Sequence, residues 1–195
     1  MNYLHRFYPW QALKLAIKSF NTPPKTISPT FLKQQIKPDS SSIQTLFQIL
    51  HDHPYTFHEK IGFNVYKKPS IIPKAGMGVY LEGKCQAGQI VCLYPGTVYL
   101  PYEPLFFASI SNKYILKCFD GTFIDGKING LSGKIYSSIY HRENYFGAIQ
   151  VSDITWMTNQ LKNPFAIGQI VNNGTKKYTA NVYYQEIDLS PKFST

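Results

Sequence analysis

The chain has 195 residues, of which 44% are hydrophobic and 15% aromatic. That is enough for one domain with a proper core plus an extension, and it excludes a wholly disordered polypeptide. The formal net charge of +9 favours acidic partners but names none, because the lysines are scattered rather than gathered in a block.

The segment before Asp39 holds no acidic residue, while Arg6, Lys14, Lys18, Lys25, Lys33 and Lys37 all lie within it. Trp10, Leu13, Ile17 and Phe20 recur at near-helical spacing, with Pro9 suited to a first turn and Pro23 and Pro24 beyond the end. A basic, acid-free amphipathic start has two readings, a mitochondrial presequence or a helix docked on the domain. Residues 21–38, rich in Pro, Thr, Ser and Lys, read as a linker. Ser40 to Leu50 reads as a second helix with Ile43, Leu46, Phe47 and Leu50 on one face. His51, His53 and His58 follow, but Pro54 and their uneven spacing favour polar loop residues over metal ligands. Residues 1–60 are therefore expected to form a basic helical extension and linker, 61–189 the domain, and 190–195 a tail.

Within the domain, Gly62 to Tyr66 alternates like a strand. Lys74 to Gly96 opens with Gly76, Met77 and Gly78, and contains two apolar runs, Val79 to Leu81 and Ile90 to Tyr94, expected to be short strands. Two glycines flanking one residue make either a bulge or a place where a ligand approaches the backbone. Thr97 to Tyr99 extends this strand character before Pro101 and Pro104, and Leu105 opens a helical or irregular segment. Tyr114 to Phe119 and Thr122 to Gly126 are expected to pair about a turn at Asp120 and Gly121. Lys127 to Ser152, with Tyr136, Tyr140 and Tyr145 scattered through it, reads as a long surface insertion. Asn163 to Gly174 leads into Ala180 to Tyr184, another expected strand region. The fold class expected is mostly β with short helices. Cys85, Cys92 and Cys118 show neither CxxC spacing nor a histidine at ligand distance. They read as reduced, partly buried thiols of an intracellular protein of the nucleus or cytoplasm, with the mitochondrion open from the basic start. No apolar run has the length of a membrane span.

Several of these motifs fall in one order: Gly76-Met77-Gly78, Tyr94-Pro95-Gly96, Leu116 to Gly126, Asn163-Pro164, Gln169 to Asn173, and Ala180-Asn181-Val182. In that order the chain from Arg6 to Asp188 resembles a SET domain. The resemblance implies a SET-type β-fold of small sheets, binding of S-adenosyl-L-methionine and protein-lysine methylation, hence a lysine-bearing protein as substrate. It places Lys74, Gly76, Met77 and Gly78 along the methionine moiety and ribose, and Asn172 near the adenine. Asn173 stands where most members have histidine. Such a reaction needs a deprotonated lysine amine in a desolvating channel, in line with the sulfonium methyl. No catalytic residue is assigned, because Tyr94, Tyr114, Tyr183 and Tyr184 belong to a tyrosine-rich chain. The resemblance ends after Asp188, without the family's C-terminal acidic and tyrosine-bearing segment, and so implies a C-terminally truncated domain with Ile170, Val171, Val182 and Tyr184 exposed. The alternative is a non-catalytic SET-like interaction module working through its basic surface and a free β edge. Nucleic acid is not the expected ligand, since no lysine run is interleaved with aromatic residues.

Overall fold

The computed structural model describes residues 40–106, 109, 112–143 and 152–187. The helix expected around Trp10 and the linker after it lie outside the described residues. The apolar spacing after Ser40 produces helix α1, Ser40–Asp52, which buries Ile43 and Leu46. A short helix α2, Phe57–Ile61, follows and stops at Gly62, whose left-handed φ of 84° sends the chain into β1.

Strand β1, Phe63–Pro69, pairs antiparallel with β2, Met77–Gly83, in a register running from Phe63 opposite Gly83 to Pro69 opposite Met77. Period-two alternation turns Phe63, Val65, Val79 and Leu81 to one face. There they join Leu46, Phe165 and Ile167 in the principal core. The opposite face carries Tyr66, Lys68, Gly78 and Tyr80. Ile90 to Tyr94, expected to be a strand, is not one. Its backbone is taken by the 163–170 loop, Leu93 N–H donating to the Phe165 carbonyl at 2.7 Å and Gly168 N–H to the Leu93 carbonyl at 2.9 Å. Two bonds to an irregular partner leave no ladder.

A second sheet has the order β3–β5–β4, all antiparallel, from Thr97–Tyr99, Phe123–Asp125 and Ile115–Lys117. The expected turn joins β4 to β5: Asp120 accepts from both the backbone N–H and the hydroxyl of Thr122 at 2.8 Å, and these bonds hold its carboxyl below the usual range. Asp125, 2% exposed, is held by Ser109 Oγ and Asn112 Nδ2 at 2.6 Å and by the Lys127 N–H at 3.0 Å. A buried carboxylate is tolerable only with such donors.

Residues 127–152 correct another expectation. Helix α3, Gly130–Arg142, occupies the first half of the supposed insertion and buries Ser132, Gly133 and Tyr136. Tyr136 packs edge-on against Trp156 at 5.0 Å and donates to the Asp153 carbonyl. Small residues hid the helix, yet they make it possible, because a Cβ on Gly133 would overlap the Ile128 carbonyl oxygen. Gly133→Ala is therefore expected to cost about 1–3 kcal/mol, where a helical glycine-to-alanine change is ordinarily favourable; a raised melting temperature would contradict this contact.

The strand expected over Ala180 to Tyr184 does not form, and residues 171–187 are irregular. Tyr184 Oη donates to the Gly168 carbonyl at 3.0 Å. Val182 and Tyr184 are exposed, as expected, whereas Ile170 and Val171 are half-buried. The architecture is that of small antiparallel sheets with a few short helices, in agreement with the expected class. Among the described residues no helix is long and apolar enough to cross a membrane.

Candidate functional site

The β1–β2 connection, residues 70–76, is closed on itself. Ser70 N–H donates to the Gly76 carbonyl at 2.8 Å, Ala75 N–H to the Ile72 carbonyl at 3.2 Å, and Ile72 N–H to Ser70 Oγ at 3.1 Å. Lys74 and Gly76 both take left-handed conformations, φ 64° and 73°, and Lys74 is the non-glycine residue that does so among those described. A side chain could be strained into that region at Gly76, but no atom lies within 4 Å of where its Cβ would be. The flank of the turn is open.

Gly78 is different. A Cβ there would sit 3.1 Å from Asn172 Nδ2 and 3.5 Å from Ser70 Cβ. Asn172 arrives on the 163–174 loop, which starts with Asn163 accepting the Phe165 N–H at 3.0 Å and is anchored by Phe165 and Ile167 in the core. Its Nδ2 donates to the Met77 carbonyl at 3.0 Å and to Ser70 Oγ at 3.1 Å. Thus residues nearly a hundred positions apart meet because Gly78 carries no side chain. Asn172 Oδ1 accepts no hydrogen bond among the described residues.

Of the residues singled out from sequence, Met77, Gly78 and Asn172 are brought together, and Lys74 and Gly76 shape the adjoining turn. Asn173 is exposed and makes no hydrogen bond among the described residues. Ser70 was missed; a serine one residue past a strand gives no signal until its partner is known.

The tyrosines form a separate cluster. Tyr94 Oη donates to the Tyr114 carbonyl at 2.7 Å, and the Tyr94 and Tyr184 rings meet edge-to-face at 5.5 Å. Burial, reinforced by Tyr184 and Asp125, pushes the Tyr94 phenol well above its usual value, and burial with Cys92 nearby raises that of Tyr184. Burial pushes the Cys92 thiol up to about 12. Cys85 is exposed, contrary to the expectation of partial burial, while Cys92 and Cys118 fit it. Iodoacetamide at mildly alkaline pH should therefore modify Cys85 fast and Cys92 only after denaturant is added; equal rates by peptide mass mapping would contradict the packing of Cys92. The histidines His51, His53 and His58 are exposed, His51 beside Asp52 at 3.0 Å.

The chain is 43% identical over 137 residues to SET domain-containing protein 9 of Homo sapiens and of Pongo abelii. The chain is a relative of SET domain-containing protein 9. The match covers 70% of this chain, and 46% and 50% of those two proteins. The chain thus spans about half the length of the curated relatives it matches. The small antiparallel sheets are those of a SET-type β-fold. No family model matches the chain, and no solved structure does.

Proposed function

We propose that the chain carries a SET-type site for S-adenosyl-L-methionine and works in protein-lysine methylation, with residues 61–189 as its SET-type domain and 1–60 as a basic extension. The observation that supports this best is the Asn172 side chain tied to the Met77 carbonyl and Ser70 across Gly78. The residues fit an amino-acid-bearing nucleoside. Gly76 leaves its flank open for backbone approach, and Asn172, whose side chain lies against Gly78, has an Oδ1 that accepts no hydrogen bond among the described residues. When bound, the cofactor supplies an electrophilic methyl on a sulfonium centre. The chain would hold it by the Lys74–Gly78 turn, fix its orientation through Asn172, and keep Gly78 clear so that this contact survives; Asn173 would contribute from the rim.

Titration of the purified chain with S-adenosyl-L-methionine by calorimetry tests the reading. Binding is expected, and Asn172→Ala should weaken it about tenfold or more, as expected for losing a polar contact and loosening the turn it holds; the loss of its two hydrogen bonds should also lower the melting temperature modestly. No binding by the wild-type chain would overturn the reading. A second reading, a non-catalytic interaction module, draws support from the exposed Val182, Tyr183 and Tyr184. It would prevail if a protein partner were captured without any cofactor bound.

A further inference from the structure

The face of the β1–β2 hairpin turned away from the core carries a cation held over two tyrosine rings. Lys68 lies directly opposite Gly78 in the ladder, so its side chain leaves the sheet on the face where Asn172 and Ser70 crowd Gly78. The Lys68 ammonium rests 4.2 Å from the centre of the Tyr80 ring and 5.7 Å from that of Tyr66. Those rings stack at 6.1 Å with 20° between their planes. Tyr80 is itself pinned, its hydroxyl donating to the Pro69 carbonyl at 3.0 Å and accepting the Ile71 N–H at 3.2 Å. Among the described residues no carboxylate pairs with Lys68. Glu82, on the same face, stands opposite Asn64 at the other end of the ladder. The neighbouring Lys67 differs, donating to the Thr158 carbonyl at 2.9 Å.

We propose that Lys68 binds the carboxylate of the amino-acid moiety of the adenosyl cofactor, an assignment that rests on the cofactor reading above. At the Gly78 junction Asn172 Oδ1 is an acceptor suited to an ammonium or a hydroxyl, and the Ser70 hydroxyl, which accepts from the Ile72 N–H and from Asn172 Nδ2, offers only a single neutral donor. A carboxylate needs a cation or several donors. Lys68 supplies one that is already held against an aromatic floor, so less freedom is lost on binding than for Lys74, which is exposed and makes no side-chain hydrogen bond, ion pair or ring contact among the described residues.

The experiment compares three ligands on the full chain by calorimetry: S-adenosylhomocysteine, its decarboxylated analogue, and methylthioadenosine, which lacks the amino-acid group. The wild-type chain should prefer S-adenosylhomocysteine to the decarboxylated analogue about tenfold or more, as expected for a charge-assisted contact. Lys68→Ala should abolish that preference while leaving methylthioadenosine binding unchanged; Lys68→Arg should keep most of it, and Lys74→Ala should retain it. A preference that survives in Lys68→Ala overturns the assignment alone. So does loss of methylthioadenosine binding in Lys68→Ala, because the residue would then act on the fold. If the wild-type chain binds none of the three, the cofactor reading falls and this assignment with it.

Discussion

Phe165→Ala should be the most damaging single truncation among the described residues, with a loss of about 3–5 kcal/mol in unfolding free energy. Phe165 is 0% exposed. Its ring meets those of Phe57 and Phe63 edge-on at 5.8 and 6.2 Å, so it locks α2 and β1 to the 163–170 loop. The residue's own carbonyl accepts the Leu93 N–H at 2.7 Å, which ties in the segment that has no strand partner. Removing the ring leaves a cavity with three separate elements around it, and none can collapse into it without giving up another contact. A domain of this size has about 5–15 kcal/mol in total, so the variant should sit near its unfolding threshold at ordinary temperature. Phe165→Leu should cost less, since most of the volume stays. Urea unfolding measures both, and a loss below about 1 kcal/mol for the alanine variant would show that the core is centred elsewhere. The same variant should also weaken any ligand at Asn172, which lies on the loop that Phe165 anchors.

The parts legible in the sequence were those whose signal is local. Ile43 and Leu46 mark α1 by spacing, Gly62 to Tyr66 marks β1 by alternation, and Asp120-Gly121 marks its turn by side-chain chemistry that acts within three residues. Two elements were misread for opposite reasons. Ile90 to Tyr94 has every local preference for a strand, but the hydrogen-bonding groups of Leu93 are claimed by residues more than seventy positions later. Gly130 to Arg142 has little apolar periodicity because its buried face is made of Ser132, Gly133 and Tyr136, and Gly133 fits close to Ile128 rather than filling space. The site shows the same division. Gly76, Gly78 and Asn172 stood out as residue types in a family order, whereas the roles of Ser70 and Lys68 depend on register. Only the pairing of Lys68 with Gly78 puts an ammonium on the face that Asn172 occupies.

Alkaline pH should destabilise the chain steeply above about pH 9, and the largest part of the cause lies in one cluster, with Tyr99 and Cys118, whose pKa values burial also raises, adding to it. In the unfolded chain the Cys92 thiol ionises at its ordinary 9.0, and the Tyr94 and Tyr184 phenols at 10.0; folding raises all three, Cys92 to about 12. Between these values the unfolded chain releases protons that the folded chain retains, so stability falls as pH rises. Below pH 9 the contribution of these groups is fully present, and it is lost progressively as pH climbs through the folded values. A retained proton is worth about 1.4 kcal/mol per pH unit. Cys92 alone should therefore remove on the order of 2 kcal/mol between pH 9 and 11. Tyr94 adds to the loss from pH 10 upward. Tyr184, 48% exposed, adds less, because water reaches its phenolate and screens the penalty. Urea midpoints measured from pH 7 to 11 should be flat at first and then decline. Cys92→Ala should make the decline shallower, at the cost of a small packing loss at every pH. An identical decline in that variant would mean that other groups control the alkaline limit. The Tyr94→Phe variant separates the second contribution, since it keeps the ring against Tyr184 and removes both the titrating hydroxyl and its bond to the Tyr114 carbonyl. It should lose stability at neutral pH by about 1 kcal/mol and regain part of that difference as pH rises past 10, so that the two curves converge.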